Sequence, residues 1–327
     1  MRTPSLALEG SAGAFVLMDG PVRREKEGTM MRKWKAIWVW ILTLLVLGLT
    51  LRPGPAEAAP FAYIPNYSDH TVSVIDTVSN TVVATVPVGS QPYGVAVHPA
   101  GTRVYVANSG DGTVAVIDTA TNAVIATVPV GWGACGIAVH PAGTRVYATG
   151  QGTAKPLVAV IDTTTNTIMA TVQLDPEASP CAMAVNPAGT RLYVARREGH
   201  TVKVIDTATN AVIATVGALG GYPLGIAVHP AGTRVYVAAD PFYDDNHYLV
   251  VVDTATNAVI ARVLVDSVPN GVAVHPAGTR VYVTVGATVA VIDTATKRRD
   301  RHGAGGKLSG WHLGAPDGDP GVCGKLR

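Results

Sequence analysis

The sequence predicts an all-β fold, a β-propeller of four-stranded antiparallel blades, on three observations. Short runs rich in Val, Ile, Thr and Tyr fill the chain from Phe61 to Thr296, each closed by Gly, Pro, Asn or Asp, which is how strands and their turns are written. The runs come in sets of four, as in residues 94–131, GVAVHPAGTRVYVANSGDGTVAVIDTATNAVIATVPVG. The sets also repeat: an Asp recurs at Asp76, Asp118, Asp162, Asp206, Asp253 and Asp293, 40 to 47 residues apart, which is the period of a propeller blade.

Taken in order, residues 1–29 match nothing else in the chain and stand as a doubtful extension. They are either a long polar lead-in or text upstream of a true start at Met30 or Met31. Residues 30–58 read as a signal peptide or membrane anchor. Arg32, Lys33 and Lys35 supply positive charge, residues 36–51 form an apolar run, and Ala56-Glu57-Ala58 has the small-x-small pattern of a cleavage site, which places the cut before Ala59. The run is shorter than the ~20 residues a spanning helix requires, so cleavage is expected over anchoring. The product is then exported: periplasmic, secreted or at the cell surface, touching a membrane only if the signal is retained.

Residues 59–296 are the propeller. The four runs of a repeat are a (GVAVHP), b (RVYVAN), c (TVAVIDT) and d (AVIATVPVG). The chain opens on b, c and d, continues through four full repeats and closes on a, b and c, which makes 22 strands in about six blades. The a–b link, His-Pro-Ala-Gly-Thr, has Pro to set φ and Gly to take the left-handed turn position. The c–d link, Asp-Thr-Ala-Thr-Asn, begins with a side chain that accepts backbone N–H bonds and ends with a residue tolerant of positive φ. Both are tight hairpins.

Strands alternate in direction, so a–b and c–d turns share one face of the disc while b–c and d–a links share the other. On the first face the text is nearly constant: HPAGT at His98, His140, His229 and His275, NPAGT at Asn186, and DTATN or close variants. On the second nothing repeats. Copied turns are scaffold, whereas varied loops on a rigid support are where recognition resides. Composition narrows the partner. Only 15% of residues are charged and the net charge is +2, which excludes the concentrated Lys/Arg stripe of a nucleic-acid surface.

The units resemble the YVTN family of β-propeller repeats. The residues that carry the likeness are Arg103-Val104-Tyr105-Val106-Ala107-Asn108, residues 113–119 (TVAVIDT) and Val128-Pro129-Val130-Gly131, with their copies from Phe61 to Thr296. The resemblance implies a seven-bladed, exported propeller with a binding or surface role, so the six blades present are expected to be an incomplete copy of a seven-bladed parent. That family usually has Pro-Asp-Gly in the a–b turn. Here it is Pro-Ala-Gly, a change in turn chemistry that leaves the topology alone.

Residues 297–327 form an irregular tail. Permitted codons for residues 297–306 (KRRDRHGAGG), less one adenine in the first, read NAVIATVPVG, identical to residues 122–131. Residues 311–325 can likewise be read as GISVHPTGTRVYVAN. The tail is therefore expected to be a frameshifted remnant of further repeats, and resequencing the locus tests it.

Candidate site residues lie on the variable face. Tyr67, Tyr93, Trp132, Tyr222, Phe242, Tyr243 and Tyr248 have the aromatic bodies and polar handles of a recognition surface, and the expected partner is a protein or glycan. Aligned d–a links place Tyr93, Cys135, Cys181, Leu224 and Asn270 at one equivalent position, at the mouth of the central channel. Cys135 and Cys181, on neighbouring blades, could pair as a disulfide or remain free. Asp240, Asp244 and Asp245 are weak metal candidates that lack the ordered spacing of a calcium loop. The repeated Asp and His residues are expected to be structural. No catalytic set and no cofactor are predicted; the alternative is a channel-site enzyme, lactonase-like or quinone-dehydrogenase-associated, which would need a convergent polar or metal-binding cluster at the mouth.

Overall fold

The computed structural model describes residues 61–299, apart from 152–155, 177–178 and 242–245. The expectations for residues 1–29 and 30–58 fall outside the described residues. So does all of the tail except Lys297 to Arg299.

The described residues form six antiparallel sheets, the blades of a propeller, with no helix among them. Blade 1 is β1 (Phe61–Asn66), β2 (Thr71–Asp76) and β3 (Thr81–Pro87). Blade 2 is β4 (Pro92–Val97), β5 (Arg103–Asn108), β6 (Thr113–Asp118) and β7 (Ala123–Pro129). Blade 3 is β8 (Ile137–Val139), β9 (Arg145–Gln151), β10 (Pro156–Asp162) and β11 (Thr167–Gln173). Blade 4 is β12 (Pro180–Val185), β13 (Arg191–Arg196), β14 (Thr201–Asp206) and β15 (Ala211–Val216). Blade 5 is β16 (Tyr222–Val228), β17 (Arg234–Asp240), β18 (His247–Asp253) and β19 (Val259–Val265). Blade 6 is β20 (Pro269–Val274), β21 (Arg280–Val285) and β22 (Thr288–Asp293). Each strand pairs with its sequence neighbour, and all 22 coincide with runs read from the sequence. The inner a strands β4, β8, β12, β16 and β20 touch in succession, and β1 touches β4.

The core lies between blades. In β6, Val114 and Val116 face blade 3, while Ala115 and Ile117 face blade 1. The two-residue period of a strand thus feeds two cores at once. Five such inter-blade clusters follow one another around the array. One Tyr per blade anchors most of them: Tyr105, Tyr147, Tyr193 and Tyr236 are fully buried, each with its hydroxyl beside the Arg two residues earlier in its strand.

Both copied turns form as expected. The turn glycines Gly101, Gly143, Gly189, Gly232 and Gly278 have φ of 70° to 72°. In the c–d turns, Asp118 Oδ1 accepts from the N–H groups of Ala120 and Thr121 and from the Thr121 hydroxyl, and Asp162, Asp206, Asp253 and Asp293 repeat the pattern. Asn80, Asn122, Asn166, Asn210 and Asn257 close these turns with φ of 52° to 57°. Lys297 closes the sixth with φ 56°, its N–H donating to Asp293 O at 2.9 Å. A side chain with no local bond to offer thus occupies a position held five times by Asn.

The caps make a pH prediction. Hydrogen bonds from the Thr hydroxyl and N–H groups hold Asp118, Asp162, Asp206, Asp253 and Asp293 below the ordinary carboxylate value. A depressed folded pKa contributes stability that is complete above the unfolded value, about 3.9, and is lost as pH falls through the folded one. Urea midpoints should therefore fall progressively below about pH 4, and the fall should be shallower in an Asp118→Asn/Asp206→Asn variant.

The turns also clip one blade to the next. His98 Nδ1 accepts from Ala100 N–H, which leaves the ring proton on Nε2 to donate to Gly143 O in the following blade at 2.9 Å. His140 reaches Gly189 O and His229 reaches Gly278 O in the same way. A second series runs beside them. Arg103, Arg145, Arg191 and Arg234 donate from Nη1 to Thr163 O, Thr207 O, Thr254 O and Thr294 O. The repeated His and Arg side chains are thereby committed to joining blades.

Candidate functional site at the channel mouth

The a strands share an irregularity that builds the site. In β4 the pairing jumps from Pro92↔Asn108 to Gly94↔Ala107, leaving Tyr93 as the extra residue of a β-bulge. Cys181 occupies the same place between Pro180 and Ala182, Leu224 between Pro223 and Gly225, and Asn270 lies within the jump from Pro269 to Val272. A bulge re-aims the side chain it carries. In blade 3, β8 begins only at Ile137, because Thr149 Oγ1 accepts from the N–H groups of Cys135 and Gly136 at 3.2 and 2.8 Å. Thr284 does the same for Gly271 N–H at 2.7 Å in blade 6.

The aligned residues converge. Tyr93, Cys135, Cys181 and Leu224 line one cavity of about 70 Å3, with Met183 and Val272 among its other walls. Neighbouring a strands approach so closely there that a Cβ on Gly94 would lie 2.2 Å from Cys135 O, and one on Gly225 2.0 Å from Asn270 O. Backbone density, more than side-chain bulk, sets the width of the channel.

Cys135 and Cys181 are both free thiols. Cys135 is 7% exposed and Cys181 half-buried. The Cys135 S–H has two acceptors in reach, Pro180 O at 3.3 Å and the Cys181 sulfur. Donation to Cys181 holds that thiol below its ordinary value, aided by the Arg197 charge and opposed by burial and Glu198. The same bond, together with burial, pushes Cys135 up.

Beside this pair lies a polar group that sequence reasoning missed. The Arg197 guanidinium stands 5.4 Å from the centre of the Tyr222 ring, and His200 packs against the same ring at 5.0 Å. Asp175 pairs with Arg196 and Lys203, each at 2.8 Å. The signal was available: Arg196 to His200 form one varied link, Tyr222 sits in the adjacent one, and both are on the same face.

The remaining expected residues are scattered. Trp132 projects from its loop at 71% exposure. Tyr67 is half-buried in the β1–β2 turn. Tyr248 lies in strand β18, opposite Ala239 and Leu264, and packs against the core between blades 4 and 5. Asp240 Oδ1 is 3.0 Å from His247 Nδ1. Phe242, Tyr243, Asp244 and Asp245 lie outside the described residues. Among the described residues, no three His, Cys, Asp or Glu gather as a metal-holding group.

Comparison with solved structures finds the same architecture. A chain of Kuenenia stuttgartiensis hydrazine synthase is similar at 24% identity with a TM-score of 0.65, covering 71% of this chain and 72% of that one. A functionally unknown protein from Desulfotomaculum acetoxidans DSM 771 is similar at 16% identity with a TM-score of 0.63, covering 73% of this chain and 78% of that one. At these identities the likeness concerns the fold alone. No curated protein matches the chain. The family model of the choice-of-anchor I domain matches residues 61–226, blades 1 to 4 and the start of β16. With half of its length matched by that family, and its blades built as described, the protein belongs to the choice-of-anchor I domain family.

Proposed function

We propose that the protein is an exported β-propeller with repeats of the YVTN type, which binds a protein or glycan partner at the cell surface through the varied face. One observation carries this reading: the repeated His and Arg of blades 2 to 5 are largely consumed in joining blades, while part-exposed and exposed aromatic and cationic groups gather on the opposite face. His98, His140 and His229 and the four clipping arginines have their donors engaged inside the scaffold. Trp132, Arg197 and His200 lie in the varied links and Tyr222 at the start of β16, all on that face. Tyr, Trp and Arg are the residues that anchor interfaces when buried by a partner. The choice-of-anchor family designation supports a surface role.

The test uses two materials from the producing cells, envelope glycan stripped of protein and immobilised envelope protein. Wild-type protein should bind one of them saturably. Trp132→Ala and Tyr222→Ala should each weaken that binding about tenfold or more, while Ala100→Ser on the constant face should leave it unchanged. Saturable binding that ignores both aromatic replacements, or no saturable binding to either material, overturns the reading.

A further inference from the structure

The pairing of Cys135 with Cys181 has chemistry that partner binding does not use. The two residues sit at the same position of adjacent a strands, and both line the channel cavity. Their strands are close: Cys135 Sγ reaches Pro180 O at 3.3 Å, the carbonyl of the peptide that bears Cys181, and a Cβ on Gly136 would lie 3.0 Å from Cys181 O. Their exposures differ. Cys181 is half-buried where it lines the cavity, and Cys135 is the more buried at 7% exposure, its backbone N–H held by Thr149 Oγ1 at 3.2 Å.

We infer that Cys135 and Cys181 form a thiol–disulfide exchange pair that accepts small aliphatic disulfides at the channel mouth, Cys181 attacking and Cys135 resolving. Exchange requires an accessible thiolate and a second thiol placed to displace the adduct. The Arg197 charge favours the thiolate form of Cys181, and Glu198 opposes it. Arg197 is itself placed over Tyr222.

The steps balance. The Cys181 thiolate attacks one sulfur of RS–SR, forming a mixed disulfide and releasing RS−. Cys135 gives up its proton and attacks the Cys181 sulfur, forming the Cys135–Cys181 bond and expelling the second RS−. In total two protein thiols are oxidised, the external disulfide is reduced, and the two protons leave on two RSH. The cavity of about 70 Å3 limits the partner to a slim disulfide.

The experiment uses the full chain with Cys323→Ser, so that the two channel thiols are the only ones present, and 2-hydroxyethyl disulfide as the oxidant. Wild-type Cys135 and Cys181 should be consumed together without lasting adduct, and peptide mapping should show them linked. Cys135→Ser should instead retain one mercaptoethanol unit on Cys181. Cys181→Ser should react at least about tenfold more slowly, because its remaining thiol is buried. A persistent adduct on the wild-type pair, linkage between chains, or a Cys181→Ser variant that reacts as fast as wild type would each overturn the proposal. Because the first two readouts use native cysteines, they stand even if a serine variant folds poorly.

Discussion

Gly225→Ala is expected to destabilise the propeller by about 3 kcal/mol or more, the upper range for overpacking a rigid site. The added methyl carbon would lie 2.0 Å from Asn270 O and 3.1 Å from its carbonyl carbon. Both are backbone atoms, so no side chain can rotate away, and relief requires blades 5 and 6 to part along their inner strands. Gly94 meets Cys135 O in the same way at 2.2 Å. The fourth blade supplies the control: Ala182 occupies the equivalent place beside its bulge and already carries a Cβ. Ala182→Gly should cost only about 0.5–1 kcal/mol, the ordinary backbone penalty. Urea unfolding of the three proteins would check this, and equal costs for Gly225→Ala and Ala182→Gly would show that the close approach is not limiting.

Tyr147 gives the second large effect. Its ring is fully buried between blades 3 and 4, packed with Ala138, Val158, Val160, Leu192 and Val194. Tyr147→Ala should cost about 3–5 kcal/mol, combining lost burial with the cavity left in a core that cannot collapse. Tyr147→Phe should stay within about 1 kcal/mol of wild type. The hydroxyl sits beside Arg145 and Thr207, but Arg145 directs its Nη1 hydrogen to Thr207 O, so the hydroxyl adds at most one weak bond. Burial also raises the phenol above its ordinary value, so it stays neutral through the accessible range. The pair of variants separates volume from polarity. If Tyr147→Phe proved as damaging as Tyr147→Ala, the hydroxyl's bond beside Arg145 and Thr207 would carry the stability rather than the ring's volume.

Most of the architecture was legible because each blade repeats the same local chemistry. Asp118 and Asn122 mark a hairpin by what they do within five residues, and local chemistry of that kind survives in one-dimensional text. The contacts between blades were not legible in that way. His98 Nε2 meets a carbonyl 45 residues away and Arg145 one 62 residues away. The text showed that these residues recur but not what they reach. The alignment of Tyr93, Cys135, Cys181 and Leu224 anticipated their convergence, yet it did not disclose that bulges carry Tyr93, Cys181 and Leu224 there while Cys135 precedes the start of β8. The Ala-to-Thr change at Thr149 and Thr284 was visible, but its meaning depends on a strand that pairs across the sheet. Tyr248 shows a placement the text did not disclose. Its aromatic character put it among the expected recognition residues, and the run of β18 sets it in a strand, partly buried against the core between blades 4 and 5.

The clips between blades all point the same way along the chain. Each repeated His or Arg of these two series donates forward, from the turn of one blade to a carbonyl of the next, while Arg262, outside the series, donates back to Ala218 O; the two series therefore have a polarity that the near-identical repeats conceal. Removing blades from the front through blade 2 strips two carbonyls, Gly143 O and Thr163 O, of one donor each, and a carbonyl on the surface is readily satisfied by water. Removing one from the back strands a guanidinium and an imidazole whose geometry was set for a vanished acceptor. Two chains shortened by equal amounts from opposite ends are thus different physical objects. The one that keeps its later blades has the better-satisfied terminus.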